Sequence, residues 1–168
     1  MIKKRKNMYF KRLIWLTVVA FVISGCTPKN YIEQNSALIV FKTPTIRYAD
    51  MGFIYHSSSS TKVEIYSSGK SVMNLEIAEG NICMSALECL TPQGFNNQIL
   101  SPHYPTHILA KIFRGKPIFG GLYLHYVSNG FTQNITKEGE YSISYSVLNK
   151  ETIFRDKMNN VLIKIRKQ

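Results

Sequence analysis

The 168-residue chain has three cysteines, six prolines and ten acidic side chains, of which only Asp50 and Asp156 are aspartates. Three cysteines are too few for a disulfide-dense miniprotein. The apolar run at residues 13–23 is eleven residues long, short of the roughly 20 that span a bilayer as a helix, and a polytopic helical membrane protein is excluded. The acids are scattered, so no carboxylate pair is set up for general acid–base work. A nucleophile elbow, a zinc-protease helix and a phosphate-binding loop are all missing. Ser57 to Ser60 read as a turn, and Gly120-Gly121 lacks the strand–helix context that phosphate binding needs. No enzymatic activity and no metal are expected. Internal repeats are absent, and the four serines are the nearest thing to a low-complexity tract.

Hydrophobic residues make up 45% and aromatics 12%, enough for a real core in one domain. The formal charge of +11 is unevenly placed. Residues 1–25 hold six basic side chains and no acid, which leaves 15 basic and 10 acidic, a net of +5, in the rest.

Those first 25 residues read as an address. Lys3, Lys4, Arg5, Lys6, Lys11 and Arg12 precede the apolar run, and Ser24-Gly25-Cys26 follow it. A charged segment, a short apolar one and small residues at its end describe a secretory signal. Ile23-Ser24-Gly25-Cys26 resembles the lipobox of bacterial lipoproteins, with Ile23 where leucine is usual. The resemblance implies a diacylglycerol and acyl lipid on Cys26, which becomes the new N-terminus. No other cofactor is expected. Thr27 after that cysteine is expected to direct the protein to the outer membrane, facing the periplasm. Residues 26–36 read as the lipidated cysteine and a polar tether, and residues 37–168 as the folded domain. Export makes nucleic acid a poor partner for the basic surface; anionic headgroups or an acidic carrier suit it better.

With Cys26 set aside, Cys83 and Cys89 remain, and a pair in an oxidising space is expected to be bonded, two buried free thiols being the alternative. Strand signals are short and numerous. Residues 37–41 read as a strand that continues after Pro44 through 45–48, and 52–56 as the next. Residues 62–66 alternate with Val63 and Ile65 on one face, and 72–78 with Met73, Leu75 and Ile77 inward. Residues 62–84 then form an antiparallel meander, with Cys83 and Cys89 across a tight hairpin. Thr91-Pro92 opens a helix over 92–100. Thr106 caps a second over 107–114, which buries Ile108, Leu109, Ile112 and Phe113 and ends at Gly115 and Pro117. Residues 141–147 alternate strictly, with Tyr141, Ile143 and Tyr145 on one face. Two closing strands are expected at 152–155 and 161–166. His103 and His107 share i,i+4 spacing, but Pro105 between them argues against one helix.

The stretch from Tyr104 to Pro117 is similar to the helix segment of the LolB family of outer-membrane lipoprotein acceptors. Leu109, Ile112, Phe113, Gly115 and Pro117 fill the places of its L-x-x-W-[IL]-x-G-x-P pattern, with Ile112 in the tryptophan place. Residues 62–77 resemble the family's strand–turn–strand, 81–100 its next hairpin and short helix, and 139–145 its W-x-V-x-Y strand, with Tyr141 in the tryptophan place. The resemblance covers most of residues 38–166 in pattern and order. It implies a mainly β, α+β domain: an unclosed antiparallel β-barrel wrapped over two or more short helices. It also implies an apolar cavity that takes acyl chains of lipoprotein cargo from a LolA-like periplasmic carrier, with no covalent chemistry. The cavity would be lined by Val63, Ile65, Met73, Leu75, Ile77, Ile108, Leu109, Ile112, Phe113, Tyr141, Ile143 and Tyr145. A monomer is expected. At the insertion loop the family has a protruding leucine before the turn glycine; here that place is Ser68, before Gly69. A serine cannot supply the roughly 1.5–3 kcal/mol of a buried leucine. The same inward residues would equally serve a solid β-domain that binds a protein partner of the envelope, and this second reading stays open.

Overall fold

The computed structural model describes residues 31–84 and 88–168. The expected signal segment, Cys26 and the expected tether up to Asn30 lie outside the described residues. Six strands come first: β1 (Glu33–Lys42), β2 (Arg47–His56), β3 (Ser60–Ser67), β4 (Lys70–Ala78), β5 (Ile82–Met84) and β6 (Glu88–Leu90). Helices α1 (Pro92–Ile99) and α2 (Ile108–Phe113) follow, and five strands complete the chain: β7 (Leu124–Val127), β8 (Gly130–Lys137), β9 (Tyr141–Leu148), β10 (Glu151–Asp156) and β11 (Val161–Lys167). All eleven strands belong to one antiparallel sheet in the order β6-β5-β4-β3-β2-β1-β11-β10-β9-β8-β7. Sequence neighbours pair through hairpins. The one long-range seam is β1 on β11, from Ala37 opposite Lys167 to Lys42 opposite Leu162. The outer strands β6 and β7 do not pair, so the sheet is an unclosed barrel.

Alternation puts one side chain in two on the concave face. Ala37, Ile39 and Phe41 of β1, Val63 and Ile65 of β3, Met73, Leu75 and Ile77 of β4, and Val161, Ile163 and Ile165 of β11 are all buried there. The helices supply Phe95, Ile108, Leu109, Ile112 and Phe113 to the same core. Because all pairs are antiparallel, the turns fall alternately at two ends. The chain enters β1 at one end, with the turns at 57–60, 79–81, 128–129 and 149–150. The far end carries the turns at 43–46, 68–69, 138–140 and 157–160.

Several local readings need correction. Residues 45–48 do not extend the first strand. Pro44 lies in the β1–β2 turn, where the Thr43 hydroxyl accepts from the Ile46 amide at 3.0 Å, and Tyr48 belongs to β2. β1 starts at Glu33, inside the segment read as tether; four polar residues there pair with β2, from Glu33 opposite His56 to Ser36 opposite Phe53. Thr106 does not cap α2. His107 occupies the cap position without a side-chain hydrogen bond, and the helix begins at Ile108. The β7–β8 hairpin was not expected at all. The α1 cap is as read, with Thr91 Oγ1 accepting from the Gly94 amide at 3.1 Å. The end of α2 is a Schellman motif: Gly115 (φ +59) donates to Ile112 and Lys116 donates to Lys111.

Cys83 and Cys89 form a disulfide across the directly opposed positions of β5 and β6, with Cα atoms 4.0 Å apart. It staples a three-residue edge strand to its neighbour β5. Closing so short a loop stabilises by about 2 kcal/mol in the chain-entropy picture. Reduction, or Cys83→Ser with Cys89→Ser, is expected to lower thermal stability by that order and to free β6 first. Amide exchange at 88–90 that stays as slow as in the oxidised protein would contradict this.

Candidate functional site

All twelve sequence-derived cavity residues come together. Each is at most 8% exposed, and they form one cluster between the concave face and the two helices. Aromatic rings meet through it: Phe41 is stacked on Phe113 (6.5 Å), Tyr145 meets Phe131 (5.8 Å) and Phe154 (6.2 Å) edge-on, and Phe119 is tilted against Tyr141 (5.0 Å). Val63, Ile65, Leu75 and Leu109 are 0% exposed. No void able to hold a water molecule therefore borders these four, and an acyl chain could enter among them only if a helix moved away from the sheet.

The helix layer is held by a small set of polar ties. Tyr104, in the loop between the helices, donates to Asp156 Oδ2 at 2.6 Å. Tyr145 of β9 donates to the Lys116 carbonyl just after α2 at 3.1 Å, and burial pushes its phenol well above the ordinary tyrosine range. Arg114, at the end of α2, donates to the carbonyls of Ser57 and Ser60 at 2.9 and 2.7 Å. The serine turn is shaped to receive it, since Ser57 Oγ accepts from the Ser60 amide at 2.9 Å. Beside this tie, a groove of about 280 Å³ opens between α2 and the turns at 57–60 and 79–81, lined by Ser58, Ile77, Ala78, His107, Ala110 and Arg114. It is the seam along which helix and sheet meet at the chain-entry end.

Gln133 on β8 is a site residue that sequence reasoning missed. It is buried on the concave face, where apolar alternation would place a hydrophobe. Its side chain clamps the segment before β7: Oε1 accepts from the Ile118 amide at 2.9 Å, and Nε2 donates to the carbonyls of Ile118 and Leu122 at 3.1 and 2.7 Å. Past this clamp the chain turns outward. Tyr126 stands opposite buried Phe131, yet is 73% exposed. Leu122 and Tyr123 are exposed as well, so the β7 edge is the open lip of the barrel.

The insertion-loop place is a two-residue hairpin turn with Ser68 and Gly69 both at positive φ, and it carries no apolar tip. His103 and His107 are not on one helix; His103 Nδ1 lies 3.5 Å from Glu140. His56 is buried with Nδ1 3.1 Å from Thr61 Oγ1. Its pKa is lowered, first by burial and then by the Arg114 charge, against an opposing pull from Glu33. A histidine held neutral in the fold binds fewer protons than the unfolded chain once pH falls below about 6.5. Stability is therefore expected to fall between pH 7 and 5, and His56→Gln to flatten that slope. Urea midpoints at the two pH values check this, and an equal slope in both proteins would refute it.

No protein-family model matches the chain, and no curated protein matches it.

Proposed function

We propose that this is a LolB-like acceptor: an exported lipoprotein, anchored at the periplasmic face of the outer membrane through lipid on Cys26, that receives acyl chains of other lipoproteins from a LolA-like carrier. One observation carries the reading. An eleven-stranded sheet that stops short of closure has its apolar concave face covered by two short helices and by loop residues such as Tyr104, Ile118 and Phe119. An ordinary barrel core would be sealed by its own strands. Here the cover is a separate layer, with a groove along its seam and a few hydrogen bonds holding it down. Transfer needs no bond to be made or broken, only an apolar site with higher affinity than the donor's and lower than the membrane's.

Depletion of the protein in its own cell tests the transfer role. Newly made outer-membrane lipoproteins are expected to accumulate on a periplasmic carrier or in the inner membrane. Normal placement after complete depletion would exclude the role.

The second reading is a solid β-domain that docks to an envelope partner. Zero exposure at Val63, Ile65, Leu75 and Leu109 favours it, because the interior is filled in this state. It predicts a protein captured by crosslinking in place of any lipid.

A further inference from the structure

At the far end, opposite the chain entry, a pocket of about 220 Å³ opens on the convex side where β1, β11 and β10 meet. Register places Lys42, Leu162 and Arg155 in one cross-strand row, so the two cations flank the leucine, roughly 10 Å apart at two strand spacings. Arg47 stands directly opposite Lys42 and lengthens the row. Lys157 and Asn160 close the pocket from the β10–β11 turn. Like charges facing each other across strands are destabilising. Yet none of the ion pairs among the described residues includes Lys42, Arg47, Arg155 or Lys157.

The carboxylate in the pocket wall, Asp156, makes no ion pair with them. Asp156 Oδ1 accepts from the amides of Ser142 (3.0 Å), Met158 (2.9 Å) and Asn159 (3.4 Å). Its Oδ2 accepts from Tyr104 and from Asn159 Nδ2 (2.7 Å). Both oxygens are thus taken up by the fold, and they fix the turn that presents Lys157. A concave set of Arg, Lys and amide donors without an ion-pair partner among the described residues suits a tetrahedral oxyanion.

We propose that this pocket binds a phosphate-bearing ligand, with Lys42 and Arg155 gripping the phosphate from its two sides and Lys157 and Asn160 donating from the turn. The volume is below the roughly 300–1,000 Å³ of clefts that hold drug-sized molecules, so it matches a phosphate with a small ester group, not a whole lipid. Acyl-chain binding inside the barrel plays no part in this inference.

Calorimetric titration of the protein in non-ionic detergent at low salt tests it, first with pyrophosphate and then with monomeric dihexanoylphosphatidylglycerol. Saturable binding of at least one is expected. Lys42→Gln with Arg155→Gln should weaken it about tenfold or more. Lys150→Gln, at the other end of the barrel, should leave it unchanged. The double substitution removes repulsion from an exposed row, so its melting temperature should not fall; Lys157→Gln alone serves as an independent check and should also weaken binding. Pyrophosphate binding alone assigns a soluble phosphate compound, and tighter binding of the phosphatidylglycerol assigns a lipid headgroup. The proposal is overturned if neither probe binds saturably, or if both sets of substitutions bind as the wild type does.

Discussion

Asp156→Ala is expected to lower stability by about 3 kcal/mol, because it strands the buried Tyr104 hydroxyl and several part-buried donors at once. Asp156 is 1% exposed, and its five hydrogen bonds join β9, the β10–β11 turn and the loop that carries Tyr104. Burial alone would raise its pKa. The hydrogen bonds from Asn159, Tyr104 and Ser142 outweigh that and hold the carboxyl below its usual range. A carboxylate depressed in this way adds stability above the unfolded value of about 3.9. That contribution is lost as pH falls below 3.9 and through the lower folded value. The wild type should therefore lose stability steeply below pH 4. Asp156→Asn, which cannot ionise, should be weaker at neutral pH and lack that part of the acid slope. Urea denaturation at pH 7 and pH 3 measures both effects. A neutral-pH loss under about 1 kcal/mol would show that the network is dispensable.

Gly52→Ala should be comparably damaging for a different reason. Gly52 sits on the concave face of β2, opposite Ala37 of β1 and Ile65 of β3. A Cβ built there would lie 2.1 Å from the Glu64 carbonyl oxygen and 3.0 Å from Ile39 Cδ1. The first of these is backbone and cannot swing aside. Pairing of β2 with β3 also begins at Gly52, so the two strands diverge from that point. The two small residues let the sheet bend sharply enough to curl round the helices. Adding one methyl should force the strands apart, at a cost of about 3 kcal/mol, the top of the usual overpacking range. The expected result is low soluble yield and a much-reduced melting temperature. A protein as stable as the wild type would show that the curvature has another origin.

Much of the sheet could be read in advance because its inner face is mostly apolar. Strict alternation at 62–66, 72–78 and 141–147 placed Val63, Leu75, Ile143 and their neighbours on the correct face, and Gly115-x-Pro117 marked the end of α2. The β7–β8 hairpin escaped because Gln133 interrupts the apolar alternation at an inward position. Its burial makes sense only once Ile118 and Leu122 are seen to need its amide. A local signal was there, since Asn129-Gly130 is a strong hairpin pair, and Gly130 takes φ +150 with Val147 so close that a Cβ would not fit. Asp156 falls between the two closing strands expected at 152–155 and 161–166; its partners Ser142 and Tyr104 lie 14 and 52 positions away, and no local pattern points to them. The cavity candidates were found as a set, but apolar residues that line a cavity and those that fill a core leave the same trace in a sequence.

The most direct measurement is a titration of residues 27–168, made without lipid and with the Cys83–Cys89 bond formed, with a fluorescent diacylated lipopeptide, competed by the unacylated peptide. Saturable binding that needs the acyl chains, accompanied by faster amide exchange in α2 as it leaves the sheet, is the result expected of a LolB-like acceptor. A correctly folded domain that binds no acylated peptide and keeps α2 protected would contradict it, and the packed interior would then be simply a core.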